Sequence, residues 1–158
     1  SYSVSATTRK PRPDEEDGVD YFFVSKAEFK EMIDNGEFIE WAKVHENYYG
    51  TPKKYVEDTL AAGQDVILEI DIQGAAQVKK KYQKGVFIFL APPSLDELES
   101  RIQKRGTDSQ KSIEVRMKNA TEEMERADNY DYIVVNDEVD KAVESVKSII
   151  IAERCKVD

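Results

Sequence analysis

Three short apolar runs constrain this chain more than anything else in it: VILEI at 66–70, VFIFL at 86–90 and YIVV at 132–135. They are nearly continuous rather than alternating with polar residues, the pattern of strands covered on both faces of a parallel sheet. GAAQVKKKY, between the first two runs, fits a crossover helix. Ser94 and Glu97 have capping-box spacing before ELESRIQKR. Gly106 is expected to end that helix, followed by the polar stretch TDSQK and a second helical run over about 112–127. A last amphipathic helix carries Val139, Val143, Val146 and Ile150. The alternation is βαβ-like, which places the chain in the α/β class.

The first sixty residues read differently. SYSVSA, DYFFV and FIEWAKV have the β-branched and aromatic content of strands. Ser25 to Glu28 is another capping box, opening a helix expected to stop at Asn35–Gly36. Thr51–Pro52 predicts a helix with proline at its first position, closed by Gly63. With 158 residues and no repeats, one α/β domain with a compact insertion is the economical reading.

Composition removes several functions. A formal charge of −9 argues against a nucleic-acid binder, whose affinity needs excess Lys and Arg, but leaves small phosphorylated ligands open. No apolar run approaches the ~18 residues of a membrane helix. The single cysteine, Cys155, excludes a disulfide framework and points to a reducing, cytoplasmic setting. One Cys and one His, His45, do not supply a zinc site, and no protein metal site is expected. The Lys79–Lys81 run reads as the solvated side of a helix.

The segment TTRKPRPDEEDGVDY at 7–21 stands out. Prolines 11 and 13 hold Arg9 and Arg12 on an extended stretch, a geometry suited to gripping a phosphate or carboxylate. A solvated loop of charge-paired residues accounts equally for the composition. Further along, Arg101 and Arg105 are four apart and share a helix face, with Arg116 on the next helix. Such residues can stabilise a migrating phosphoryl group or simply pair with acids on their own helix.

Several motifs occur together and in order: S-x-TTR-x-x-R-x-x-E over 5–15 (Ser5 to Glu15), GVDY at 18–21, NYYGT at 47–51, LEIDIQG at 68–74, APPS at 91–94, RGT at 105–107 and VVND at 134–137. With them the chain resembles the guanylate kinases, which phosphorylate GMP with ATP. The resemblance runs from residue 1 almost to the end. It implies a three-layer parallel-sheet nucleoside monophosphate kinase core over about 61–105 and 128–158. A GMP-binding subdomain would occupy about 4–60, and a helical lid about 106–127.

By the same resemblance Arg9, Arg12, Tyr21 and Tyr49 hold the GMP phosphate, and Glu15 orients Arg12. Asp14, Glu16 and Asp17 would face solvent. Glu40 would accept from guanine N1–H and its amino group, Ser5 and Thr51 would donate to O6, and Asp71 would be a second acid near the base. Glu69 would lie at the reaction centre beside Mg²⁺ carried in by ATP. Arg105 and Arg116 would clamp the phosphates, Arg101 would assist from the helix base, and Asn136 would sit near adenine. Trp41 and the Phe22–Phe23 pair are expected in packing roles. The alternative is a non-catalytic module of the same fold that binds a partner protein or GMP without turnover. The family's phosphate loop, G-x-x-x-x-G-K-[ST], does not occur in the 158 residues. The expectation is therefore a longer enzyme, with GMP binding but negligible transfer in this stretch alone.

Overall fold

The computed structural model describes residues 1–44, 46–104 and 110–157, so His45, Arg105 and Gly106 lie outside the described residues. The chain divides into two compact units, Ser1–Gly85 and Val86–Asp158.

The first unit is built on a four-stranded mixed sheet. Its strands are β1 (Ser5–Thr7), β2 (Tyr21–Phe23), β3 (Phe38–Val44) and β4 (Asn47–Pro52), in spatial order β2-β1-β4-β3. β1 and β2 are parallel; β4 is antiparallel to both β1 and β3. Helix α1 (Lys26–Asp34) starts at the anticipated capping box. Ser25 Oγ accepts from Glu28 N–H at 3.2 Å and the Glu28 carboxylate accepts from Ser25 N–H at 2.7 Å. It ends at Asn35, with Gly36 at φ +68°, a conformation glycine adopts without a Cβ penalty. Helix α2 (Lys53–Ala61) has Pro52 at its N-cap, one position before the expected site. Helix α3 (Ile72–Lys81) begins at Asp71, whose carboxylate accepts from Gly74 N–H at 2.8 Å.

Strand periodicity gives this sheet two unlike faces. On one, α1 lays Phe29 against Ala6 and Phe38, with Met32, Ile33 and Tyr48 around them. The Phe29 ring stacks on Phe38 at 4.5 Å and on Tyr48 at 5.6 Å between centroids. The opposite face carries Ser5, Tyr21, Tyr49 and Glu40.

One expected strand is not formed. Residues 66–70 make a single parallel bridge, Ile67 to Tyr2. Ser3 N–H donates to Ile67 C=O at 3.1 Å, and Ile67 N–H donates to Ser1 C=O at 2.8 Å. Strand propensity at VILEI is real, but a ladder needs a continuous partner, and among the described residues only the 1–3 segment meets this run.

The second unit pairs β5 (Ile88–Ala91) with β6 (Tyr132–Val135) in parallel, Ile88 opposite Tyr132. Helices α4 (Leu95–Lys104), α5 (Gln110–Met124) and α6 (Val139–Arg154) surround them, with a 3-10 turn at Ala127–Asn129. The runs at 86–90 and 132–135 are not covered on both faces as expected. Val134 is buried, whereas Ile133 and Val135 are 54% and 53% exposed. In a pair of two strands, alternate side chains of β6 have only one covered face to enter. On α6 the buried stripe also differs from the expected one. Ala142 is buried and Val146, Ile149 and Ile150 are half-buried, while Val139 and Val143 are exposed. The Tyr132 hydroxyl donates to Glu153, and positions 142, 146, 149 and 153 share that helix face.

Because Phe29 is 1% exposed and lies between two rings, Phe29→Ala is expected to cost about 3–5 kcal/mol. Urea denaturation followed by a probe in the first unit checks this. Lys30→Ala, on the exposed side of α1, is expected to leave the midpoint nearly unchanged.

Candidate functional site

The polar face of the first sheet forms a cleft of about 300 Å³ lined by Ser5, Tyr21, Glu40, Tyr49, Glu69 and Asp71 among others. Those residues come from β1, β2, β3, β4 and the segment leading into α3. Register assembles them: Ser5 faces Tyr21 across β1 and β2, and Glu40 faces Thr51 across β3 and β4.

Glu40 reaches this face through a bulge. The β3–β4 register shifts between Phe38 and Glu40, so Phe38 opposes Pro52, Glu40 opposes Thr51, and Ile39 is the extra residue. In a regular strand Phe38 and Glu40 would share a face. Instead Phe38 enters the aromatic core and Glu40 enters the cleft. The Glu40 residue is 4% exposed, and Thr51 Oγ1 donates to its Oε1 at 2.6 Å. Burial pushes the Glu40 carboxyl above the usual range and the nearby Asp71 charge adds to this, against the lowering effect of the Thr51 hydrogen bond. The single Thr51 hydroxyl proton is thus engaged by Glu40. Asp71 has a structural task too: it caps α3 through Oδ1, and Gln73 reaches its Oδ2 at 3.3 Å.

The two opening arginines are not equivalent. Arg9 forms a two-pronged pair with Glu15, Nη1 to Oε2 at 2.9 Å and Nη2 to Oε1 at 2.8 Å, and also donates to Lys10 C=O. Its guanidinium lies 5.4 Å from the Tyr21 ring centroid and 5.8 Å from that of Phe23. Glu15 therefore holds Arg9 more tightly than Arg12. Arg12 reaches Glu15 with its side chain only at 3.5 Å and is 59% exposed, although its backbone N–H donates to Glu15 at 2.7 Å. Tyr49 stands edge-on to Tyr21 with centroids 6.1 Å apart. The Arg9 fork and then the Arg12 N–H hold the Glu15 carboxyl down at about 2. Asp17 is exposed, as expected, and also accepts from Phe23 N–H at 2.8 Å.

Glu69 accepts from the Tyr2 hydroxyl at 3.1 Å. Burial first, then the Glu69 charge, pushes the Tyr2 phenol up to about 12. Tyr2 went unnoticed in the sequence, since only the Ile67 bridge brings it there. Gln77 and Lys81 were missed as well. Gln77 donates to Trp41 C=O at 2.7 Å and accepts from Trp41 N–H at 3.3 Å, while Lys81 Nζ donates to Ile39 C=O. The spacing of 77 and 81 on one helix face was the available signal, and Lys81 is therefore not a purely solvated lysine.

In the second unit Arg101 is fully engaged. It donates through Nε to Glu97 at 2.8 Å, through Nη1 to Asn136 C=O at 2.8 Å and through Nη2 to Asp137 C=O at 3.4 Å. Asn136 N–H donates to Ala91 C=O at 2.7 Å, and among the described residues its buried Oδ1 has no hydrogen-bond donor. Arg116 lies half-buried on α5. Arg105 lies outside the described residues. No three His, Cys, Asp or Glu side chains come together as a metal cage among the described residues.

The first unit thus brings a guanidinium held by Glu15, two phenols and a buried carboxylate onto one sheet. The family model of guanylate kinase matches residues 1–153. A guanylate kinase of Caldanaerobacter subterraneus subsp. tengcongensis is 57% identical over 156 residues, covering 99% of this chain and 76% of that protein. One from Latilactobacillus sakei is 58% identical over 156 residues, with coverages of 99% and 77%. The crystal structure of guanylate kinase from Anaplasma phagocytophilum matches with a TM-score of 0.87 at 37% identity, over 99% of this chain and 77% of that one. The chain belongs to the guanylate kinase family.

The depressed Glu15 carboxyl has a signed consequence. Its contribution to stability is present above the ordinary carboxyl value of 4.5 and is lost as pH falls towards about 2. Denaturation measured from pH 5 to pH 2 is expected to show a steeper loss for the native protein than for Glu15→Gln. Parallel curves would show that the Arg9–Glu15 fork does not persist in solution.

Proposed function

We propose that this domain binds GMP on the polar face of its first sheet and takes part in transferring the γ-phosphate of ATP to it, giving GDP and ADP. Glu40 carries the reading: a buried carboxylate in the same cleft as the Tyr21 and Tyr49 phenols, with the Arg9 guanidinium 5.4 Å from the Tyr21 ring centroid. Guanine presents N1–H and an amino group side by side, and a carboxylate accepts both; adenine has no such pair of donors. The donors would offset the burial cost that Glu40 bears in the empty site.

Arg9, already oriented by Glu15 and the aromatic rings, would meet the GMP phosphate with little loss of freedom. Arg12, loosely held, would swing in as the second guanidinium, and Tyr21 and Tyr49 would donate hydroxyls without adding net charge. A GMP phosphate oxygen then attacks the γ-phosphorus in line as the bond to the β-bridging oxygen breaks, and that oxygen leaves with ADP. Such transfer rests on positioning and electrostatics. Mg²⁺ would enter with the ATP phosphates, its usual ligands, and Glu69 would help hold its bound water, with Asp71 a second acid near the base. Arg116 and Arg105 would stabilise the migrating charge, and Arg101 would fix the backbone of Asn136. The unpartnered Asn136 Oδ1 suits the amino group of adenine. In this reading the molecule has a three-layer parallel-sheet core, an inserted GMP-binding subdomain over about 4–60 and a lid over about 106–127.

Calorimetry with GMP and AMP is the test. GMP is expected to bind far more tightly, and Glu40→Gln to cost on the order of 2 kcal/mol in GMP affinity. The Glu40 carboxyl is raised, so its ionised form weighs against the folded, empty protein once pH exceeds the unfolded value. Glu40→Gln is accordingly expected to raise ligand-free stability at pH 7 while it weakens GMP binding. Equal affinities of the native protein for AMP and GMP would overturn the assignment.

A further inference from the structure

Gly74 occupies the third position of α3, where alanine would be favoured over glycine by helix propensity. Its φ is not in the left-handed region, so backbone conformation does not call for glycine there. What calls for it is space. A Cβ built on Gly74 overlaps Glu40 Oε2, lies 3.0 Å from Glu40 Cδ and 3.3 Å from Ile70 Cβ. The carboxylate of Glu40 therefore rests directly on the first turn of α3.

The helix cannot simply back away. Three positions on one face of α3, at 74, 77 and 81, meet three consecutive residues of β3. Lys81 holds the Ile39 carbonyl, Gln77 holds both backbone groups of Trp41, and Gly74 receives the side chain of Glu40 between them. The Gln77 amide acts as a one-residue strand partner on the open edge of β3, which fixes the distance between helix and strand. Thr51 grips the other carboxylate oxygen from β4. Glu40 thus has a floor at Gly74, a hydrogen bond at Thr51 and a backbone clamped on both sides.

We infer that Gly74 is a specificity-determining positioning residue: the missing Cβ sets the plane and depth of the Glu40 carboxylate, and with it the choice of base. This rests on the reading of Glu40 as the group that accepts from guanine. A methyl group at 74 is accommodated by the most movable atoms nearby, those of the Glu40 carboxylate, which rotate off α3 and away from the geometry that accepts two parallel donors. The phosphate-binding residues lie elsewhere on the sheet and keep their positions.

The experiment is calorimetric binding of GMP and AMP to the full-length protein and its Gly74→Ala, Glu40→Ala and doubly substituted variants. Gly74→Ala is expected to weaken GMP at least tenfold and leave AMP within twofold. Glu40→Ala is expected to abolish the preference, after which Gly74→Ala changes nothing further. Equal effects of Gly74→Ala on GMP in both backgrounds, or equal losses for GMP and AMP, would overturn the inference while leaving the Glu40 assignment intact. An unchanged preference in Glu40→Ala would instead overturn the assignment beneath it. Should Gly74→Ala not fold, Gln77→Leu decides: it keeps the helix and loosens the clamp, and is expected to lower the GMP preference severalfold. An unaltered preference in Gln77→Leu would count against the role of α3.

Discussion

The bulge in β3 is the constraint from which the rest of the first unit follows. One extra residue, Ile39, separates Phe38 from Glu40 and sends them to opposite faces of the sheet. Phe38 completes the stack with Phe29 that fixes α1, and Glu40 becomes the buried acid of the cleft. Without the irregularity the strand would present both to one side. Either a carboxylate would enter the aromatic core or a phenylalanine would fill the ligand site. A single local feature therefore separates packing from chemistry.

The same unit treats its two kinds of charge in opposite ways. Arg9 and Glu15 satisfy one another near the surface, with two hydrogen bonds and flanking rings, so the guanidinium is held in one orientation before any ligand arrives. Glu40 is held by Thr51, yet burial still disfavours its charge. A site of this kind discriminates through the empty acid, because only a ligand with the matching donor pair relieves it. In the proposed reading the arginine would attract the phosphate, which is common to all nucleotides, and the carboxylate would distinguish among them.

How much of this was legible in the sequence depended on how local each interaction is. The Ser25–Glu28 capping box closes within four residues and was visible as a spelling. Glu40 was not visible in that way, since regular alternation gives it the same face as Phe38, and only the family motif singled it out. The run at 66–70 has strand composition, but a strand exists through its neighbours, and one bridge to Tyr2 is all it finds here. That Glu15 also holds Arg9, and more tightly than Arg12, was not legible because motif spacing does not rank two arginines. A turn in which Glu15 N–H donates to Arg12 C=O carries the carboxylate back past Arg12 to the Arg9 fork. Gln77 and Lys81 looked like ordinary polar positions of a helix, and their meaning depends on which strand edge lies alongside.

That edge links stability to function. A four-stranded sheet has two open edges, each a row of unpaired backbone groups that invites association with another chain. Here both are met by side chains from neighbouring segments. Asp17 takes the Phe23 N–H on the outer side of β2, and Gln77 with Lys81 takes three backbone groups of β3. Neither solution adds a strand, so the polar face stays open to ligand. The cover on β2 comes from the segment that bears Arg9, Arg12 and Glu15. The cover on β3 comes from the helix that supports Glu40. The segments that close the edges are thus the ones that hold the groups proposed to meet phosphate and base, and loosening either would expose backbone as well as shift Arg9 or Glu40. Selection for a sheet that does not aggregate and selection for a precise site act on the same contacts.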